Sequence, residues 1–267
     1  MDIGTAKPSP AELARVPHHL IDIVRPGQEF NLPDFLERAG TAIEDIHGRG
    51  KLPMLVGGTM LYINALLEGW EVPQVAPRPG LREQLEKEAA ERGPEALYRS
   101  LQELDPAAAA HINPLNVRRI VRALEVYYTT GQLFSEAQGK SPPPYRTLKL
   151  ALTMEREALY TRADRRTAEM FRRGLVKEVQ ALLAAGYSAN LPAMSSVGYK
   201  QVTAYLNGDM SLKEAQERMN FTTHRYIRQQ YTWFRRDPEI QWLEATGPDL
   251  EEKALALVQA FLAAEQN

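Results

Sequence analysis

The sequence predicts an α/β protein whose parallel-sheet core is interrupted by an all-helical module. Three observations carry that expectation. Short aliphatic runs at 19–24 (HLIDIV) and 52–56 (LPMLV) flank a stretch of helical spacing, which is the pattern of a βαβ unit with buried parallel strands. Two proline-rich links, VPQVAPRPG from Val72 and GKSPPPYR from Gly139, bracket a run of helical segments. Beyond the second link, LKLALTM at 148–154 returns to a strand pattern.

The elements follow in order. Gly4, Pro8 and Pro10 in MDIGTAKPSP make a turn at the very start, and the strand at 19–24 comes directly after it. In LPDFLERAGTAIEDIHGRG the apolar residues Phe35, Leu36, Ala39, Ala42, Ile43 and Ile46 share one helical face, and Gly48 and Gly50 stop the helix. The strand at 52–56 runs into GGTMLYINALLEG, a glycine turn that opens another helix. The segments LREQLEKEAAERGPEALYRSLQEL and NVRRIVRALEVYYTTG are helical. After the strand at 148–154 the spacing predicts one long helix from about Glu157 to Ala185, more helix, and a last strand, IQWLEA, at 240–245. The division expected is an α/β core of residues 1–77 and 141–267 with a helical insertion at 78–140.

Composition removes several classes of function. No run reaches the roughly 18 apolar residues that span a bilayer, and the first residues lack the pattern of a secretory signal. With no cysteine in 267 residues, disulfides, thiolate catalysis and cysteine zinc sites are excluded. A cytoplasmic address is expected. The net charge of −2 does not mark a basic nucleic-acid-binding domain, but the basic residues are gathered. RMNFTTHRYIRQQYTWFRR holds Arg218, Arg225, Arg228, Arg235 and Arg236 without a single acid, and VRRIVR holds Arg118, Arg119 and Arg122.

Four stretches are candidates for chemistry. In LVGGTMLY, Gly57 and Gly58 let a ligand approach the backbone at the carboxyl end of a strand, where open α/β sheets bind their ligands. Thr59 then either caps the next helix or touches a phosphate or polar substrate group. Arg118 and Arg122 lie four apart on one helix face, suited to phosphates or to simple solvation. Arg225 and Arg228 are interleaved with Tyr226, Tyr231, Trp233 and Phe234, a mixture that grips a pyrophosphate or RNA. Trp233 and Phe234 are expected in the core. Arg162, Arg166 and Arg173 form a weaker basic face beside Asp164 and Glu169. His18 and His19 have no further ligand at suitable spacing, so no zinc site is expected. No G-x-x-x-x-G-K-[ST] occurs.

In combination and in order, MDIGTAKP, VPHHLIDI, LVGGTMLYINALLEG, RRIVRALEVY, GLVKEV, SVGYKQ and RQQYTWFRR resemble bacterial tRNA dimethylallyltransferases over essentially the whole chain. The resemblance implies a P-loop-NTPase-like parallel sheet with a helical insertion that contacts tRNA. In that family MDIGTAKP follows a strand, a P-loop, a helix and an Asp-Ser strand end, so an N-terminally truncated core is expected. The diphosphate loop and the general-base aspartate then fall on no residue of this chain.

The reaction implied is transfer of a dimethylallyl group from dimethylallyl diphosphate to N6 of adenosine 37, in tRNAs that read codons beginning with U. Carried over by position, Thr59 and Arg82 contact the target nucleotide near the reaction centre. Arg118, Arg119, Arg122 and Lys200 contact tRNA, and Arg225 and Arg228 contact pyrophosphate. Where the family more often has Lys-Arg-Gln, this sequence has Arg228, Gln229 and Gln230. Magnesium, a tRNA anticodon stem-loop and a monomer are expected, with neither zinc nor a membrane. Two other readings remain: an RNA-binding fragment without catalysis, and a small-molecule kinase with a helical lid.

Overall fold

The computed structural model describes residues 1–264. They form two compact units, Met1–Phe30 together with the chain from Thr147 onward, and Asn31–Arg146. Residues 31–77, placed with the α/β core by the sequence pattern, cluster in the second unit with residues 78–140.

The first unit opens with a tight turn and a short helix α1 (Pro10–Leu13), whose Ser9 and Glu12 close a reciprocal capping box. Residues 19–24, expected as a strand, form bends instead, with Leu20 and Asp22 at positive φ of 61° and 56°. A left-handed residue breaks the two-residue alternation a strand needs.

In the second unit, α2 (Leu32–Gly48) starts at another capping box, in which Asn31 and Asp34 bond each other's backbone N–H. The other expected strand, 52–56, has no regular structure and no ladder partner among the described residues. Met54 and Val56 are 76% and 85% exposed. An aliphatic run supplies β propensity but not the neighbouring strand that pairs it.

Helix α3 (Met60–Leu67) leads to β1 (Trp70–Glu71). Next come α4 (Pro79–Arg92), α5 (Pro94–Leu104), α6 (Pro106–His111) and α7 (Val117–Thr130). Proline stands in the first turn of α4, α5 and α6, where its missing N–H costs nothing. Leu85, Leu97, Leu101, Ile112, Ile120 and Leu124 interlock into one apolar core.

β2 (Gly139–Lys140) then pairs antiparallel with β1, Trp70 opposite Lys140. This two-residue ladder brings the entry and exit of the helical segment together. Ser141 N–H donates to Gly69 O at 2.9 Å, and Lys140 pairs with Glu68. Gly69 has φ +65°, and a Cβ there would sit 2.9 Å from the Ser141 carbonyl oxygen. Any other residue would be strained and would open the clasp.

The first unit resumes with β3 (Leu150–Thr153). The single long helix expected from Glu157 is two helices, α8 (Arg156–Arg172) and α9 (Leu175–Ala184), because Gly174 turns the backbone at φ +102°. A 3₁₀ turn at Pro192–Ser195 precedes α10 (Tyr199–Leu206) and the 23-residue α11 (Leu212–Phe234). β4 (Gln241–Glu244) pairs parallel with β3, Leu152 opposite Leu243, and α12 (Leu250–Ala263) follows. Leu175, Val179, Met194, Tyr199, Val202 and Met219 form this unit's core, with Met1 and Ile3 packed against it. Among the described residues no helix is long and apolar enough to cross a membrane.

Candidate active site

Thr59 is the exposed residue at the start of α3, and its side chain makes no capping hydrogen bond. Of the two uses open to this hydroxyl, the structure does not realise the capping one.

Arg82 and Arg122 are brought together on one acid that the sequence pattern did not single out. Glu125, on α7, is 0% exposed. Its Oε1 accepts from Arg82 Nε at 2.7 Å and from the backbone N–H of Arg78 at 2.8 Å. Its Oε2 accepts from Arg82 Nη2 at 2.8 Å and Arg122 Nη1 at 2.6 Å. Arg122 also donates to the carbonyls of Val75 and Pro73 at 3.2 and 3.3 Å. Arg118 and Arg119, in the first turn of the same helix, are both exposed. The three arginines of VRRIVR therefore divide into a solvent-reaching pair and an internally engaged third.

Burial alone would raise the Glu125 pKa, but Arg82, the Arg78 amide and Arg122 outweigh it and bring the group from 4.5 to about 2. A carboxyl lowered in the folded state stabilises above its unfolded pKa, and that contribution is lost as pH falls through the folded one. The contribution, about 3 kcal/mol, is complete above a pH of about 4.5 and gone near 2. The denaturant midpoint of the wild-type chain should therefore fall across that window, and Glu125→Gln should flatten the fall. An equally steep acid limb in the variant would refute this assignment.

The first unit holds the other basic candidates. Arg225 is exposed on α11. Arg228 Nη1 donates to Tyr160 Oη on α8 at 3.2 Å. The Tyr160 ring stacks on His224, centroids 4.0 Å apart at 9°, and His224 Nε2 lies 2.8 Å from Asp164 Oδ1. The aromatic residue that fixes α11 to the sheet is Tyr231, bonded to Thr153 Oγ1 at 2.9 Å and stacked on Trp242. Trp233, expected in the core, is 36% exposed, because Tyr231 already occupies the inward position. Lys200 is exposed on α10, one residue after the buried Tyr199.

Tyr199 belongs to a second carboxylate centre. Glu178 on α9 accepts the backbone N–H groups of Asp2, Ile3 and Gly4 at 2.7, 2.9 and 3.3 Å, and the Tyr199 hydroxyl at 2.5 Å. MDIGTAKP, GLVKEV and SVGYKQ thus meet on one side chain. Burial raises the Glu178 pKa, and these four hydrogen bonds more than reverse it. Burial and the adjacent carboxylate both raise that of Tyr199. A Cβ on Gly4 would lie 2.4 Å from the Tyr199 ring, so Gly4→Ala should lower stability by about 1–3 kcal/mol. In a thermal melt the cost of Gly4→Ala should shrink in a Tyr199→Leu background, and an undiminished cost there would rule out the clash as the cause.

Beside the Ala6–Pro8 turn lies an open cleft of about 290 Å³, lined by Lys7, Glu12, Arg166, Glu169 and Arg173 among others. Among the described residues no three His, Cys, Asp or Glu side chains gather as a metal cage.

The arrangement defines a class: a mixed α/β protein with a helical module and arginine-bearing helices in both units, suited to anionic substrates. The chain belongs to the IPP transferase family, whose model matches residues 1–237. It is 49% identical over 267 residues to the tRNA dimethylallyltransferase of Thermomicrobium roseum, covering 100% of this chain and 81% of the relative. It is 53% identical over 252 residues to that of Chloroflexus aurantiacus, covering 94% and 85%. Among solved structures, the tRNA isopentenylpyrophosphate transferase of Bacillus halodurans is similar with a TM-score of 0.69 at 36% identity, over 100% of this chain and 86% of that one. A eukaryotic dimethylallyltransferase described as acting on tRNA is similar with a TM-score of 0.77 at 28% identity, over 98% and 69%.

Proposed function

We propose that this chain transfers a dimethylallyl group from dimethylallyl diphosphate to N6 of adenosine 37, in tRNAs reading codons that begin with U. The observation that carries this reading is near full-length identity of about half to proteins named for that transfer. In the reaction the N6 lone pair forms a bond to the allylic carbon, the carbon–oxygen bond breaks, and diphosphate leaves with the electron pair. The amine then gives up one proton to a base. No residue of this chain is assigned as that base.

The roles of the named side chains follow from charge and placement. Arg118 and Arg119 hold phosphates of the anticodon stem-loop, with Lys200 as a further tRNA contact. Arg122 serves the same face indirectly, by fixing the 73–75 backbone. Thr59 and Arg82 meet the target nucleotide, which must leave its stack at a cost of a few kcal/mol. Arg225 and Arg228 neutralise the departing diphosphate, whose charge would otherwise make it a poor leaving group. Magnesium would arrive with the diphosphate and offset part of its charge. We read β3 and β4 as part of a P-loop-NTPase-like sheet, residues 78–140 as the tRNA-contacting insertion, and the protein as a cytoplasmic monomer.

The test is direct. Incubated with labelled dimethylallyl diphosphate and an anticodon stem-loop, the chain should label the adenosine beside the anticodon. Stem-loop binding without label would leave an RNA-binding protein and refute the transfer. Arg118→Ala/Arg119→Ala should also weaken stem-loop binding and reduce the slope of log affinity against log salt by about 0.7–0.9 for each phosphate that is no longer neutralised. An unchanged slope would remove these arginines from the RNA interface.

A further inference from the structure

We infer that Glu125 is a positioning residue for transfer: its buried carboxylate sets the orientation of Arg82 and the course of the 73–78 link. The inference rests on the proposed contact of Arg82 with the target nucleotide, and it names the group that prepares that contact.

The geometry separates this role from ordinary cohesion. Arg82 stands in the first turn of α4, with its side chain 37% exposed. A long side chain there would sample many rotamers if nothing held it. Glu125 takes its Nε and Nη2 together, a two-point grip that fixes the plane of the guanidinium as well as its position. The same carboxylate accepts the amide of Arg78, the residue that caps α4, so the helix start and the guanidinium share one reference point. Arg122 extends the set to Pro73 and Val75. Helix α7 thereby dictates the shape of a link that has no regular structure between β1 and α4.

Cohesion alone does not require such a network, since replacing all members of a buried ion network together by apolar residues is often neutral or stabilising. Four donors converging on one fully enclosed acid are what orienting an arginine requires. A surface acid could not do the same work, because solvent would compete for each bond.

The experiment compares the full chain with Glu125→Gln, Glu125→Asp, Arg82→Gln and the Glu125→Gln/Arg82→Gln double variant. Each is assayed for melting temperature and for kcat/KM toward tRNA, with KM for dimethylallyl diphosphate measured alongside. Glutamine matches the volume of glutamate but turns one acceptor into a donor facing arginine. Glu125→Gln should therefore lower kcat/KM for tRNA by about tenfold to a hundredfold, with KM for the diphosphate unchanged. The double variant should be no worse than Arg82→Gln, as expected when one residue acts through the other.

Losses that multiply in the double variant, or a lower melting temperature with kcat/KM intact, would overturn the inference while leaving the Arg82 contact standing. If Arg82→Gln alone leaves kcat/KM unchanged, the Arg82 contact itself fails, and the positioning role with it. Should Glu125→Gln not fold, Glu125→Asp decides the matter. It keeps the charge but draws it back by one methylene, so a folded protein with undiminished kcat/KM would refute the role.

Discussion

Glu178→Ala should cost about 3 kcal/mol of stability or more, because it strips one acceptor from four donors at once. The Tyr199 hydroxyl, on a residue 0% exposed, would lose its acceptor, and so would three successive backbone N–H groups of the opening turn. Amide exchange at Ile3 and Gly4 should accelerate most, and the melting temperature should fall by several degrees. Tyr199→Phe removes only one of the four donors and should cost about 1–2 kcal/mol. If Glu178→Ala melts within a degree of the parent and exchange at Ile3 is unaltered, the turn is held by packing of Met1 and Ile3 alone.

Leu124→Ala is the companion test in the second unit. Leu124 is 1% exposed and lies within the cluster containing Leu97, Leu101 and Ile120. Removing a buried isobutyl group deletes its transfer free energy and leaves a cavity, together about 2–5 kcal/mol. The two cores share no residue, so the effects of Leu124→Ala and Glu178→Ala should add in the double variant. Hydrogen exchange checks this locally: Leu124→Ala should loosen α5 and α7 and leave Ile3 and Gly4 protected. Exchange rising equally in both places would show one cooperative structure rather than two cores.

Helices were the legible part of this fold. Their starts are written in adjacent residues, as in Asn31 with Asp34 or the prolines at 79, 94 and 106, and their cores in a period that needs no distant partner. Strands 150–153 and 241–244 were also legible, yet the equally aliphatic 52–56 has no ladder partner among the described residues. A strand is completed by another strand, and local sequence does not name it. Gly174 was visible as a glycine, but not as the positive-φ joint that divides a helix.

The site divides along the same line. The basic residues were legible as charge, since Arg119 and Arg225 are exposed where the pattern placed them. The acids that organise their neighbours were not. Glu125 meets Arg82 across 43 residues, and Glu178 meets Gly4 across 174. One local signal pointed the right way: Arg122 stands three residues before Glu125, a helical pairing distance. Nothing local marked Glu178 as the acceptor for the opening turn.

The clasp between Trp70 and Lys140 has a consequence for how this chain tolerates change. Because the polypeptide leaves and returns at hydrogen-bonded neighbours, everything between them is a closed loop whose ends stay together whatever its length. Loop-closure entropy rises only slowly with added residues, so the connections between these helices could lengthen or shorten without displacing Gly69 or Ser141. The clasp lets the span between its strands absorb insertions between helices, while Gly69 is the joint that must be kept.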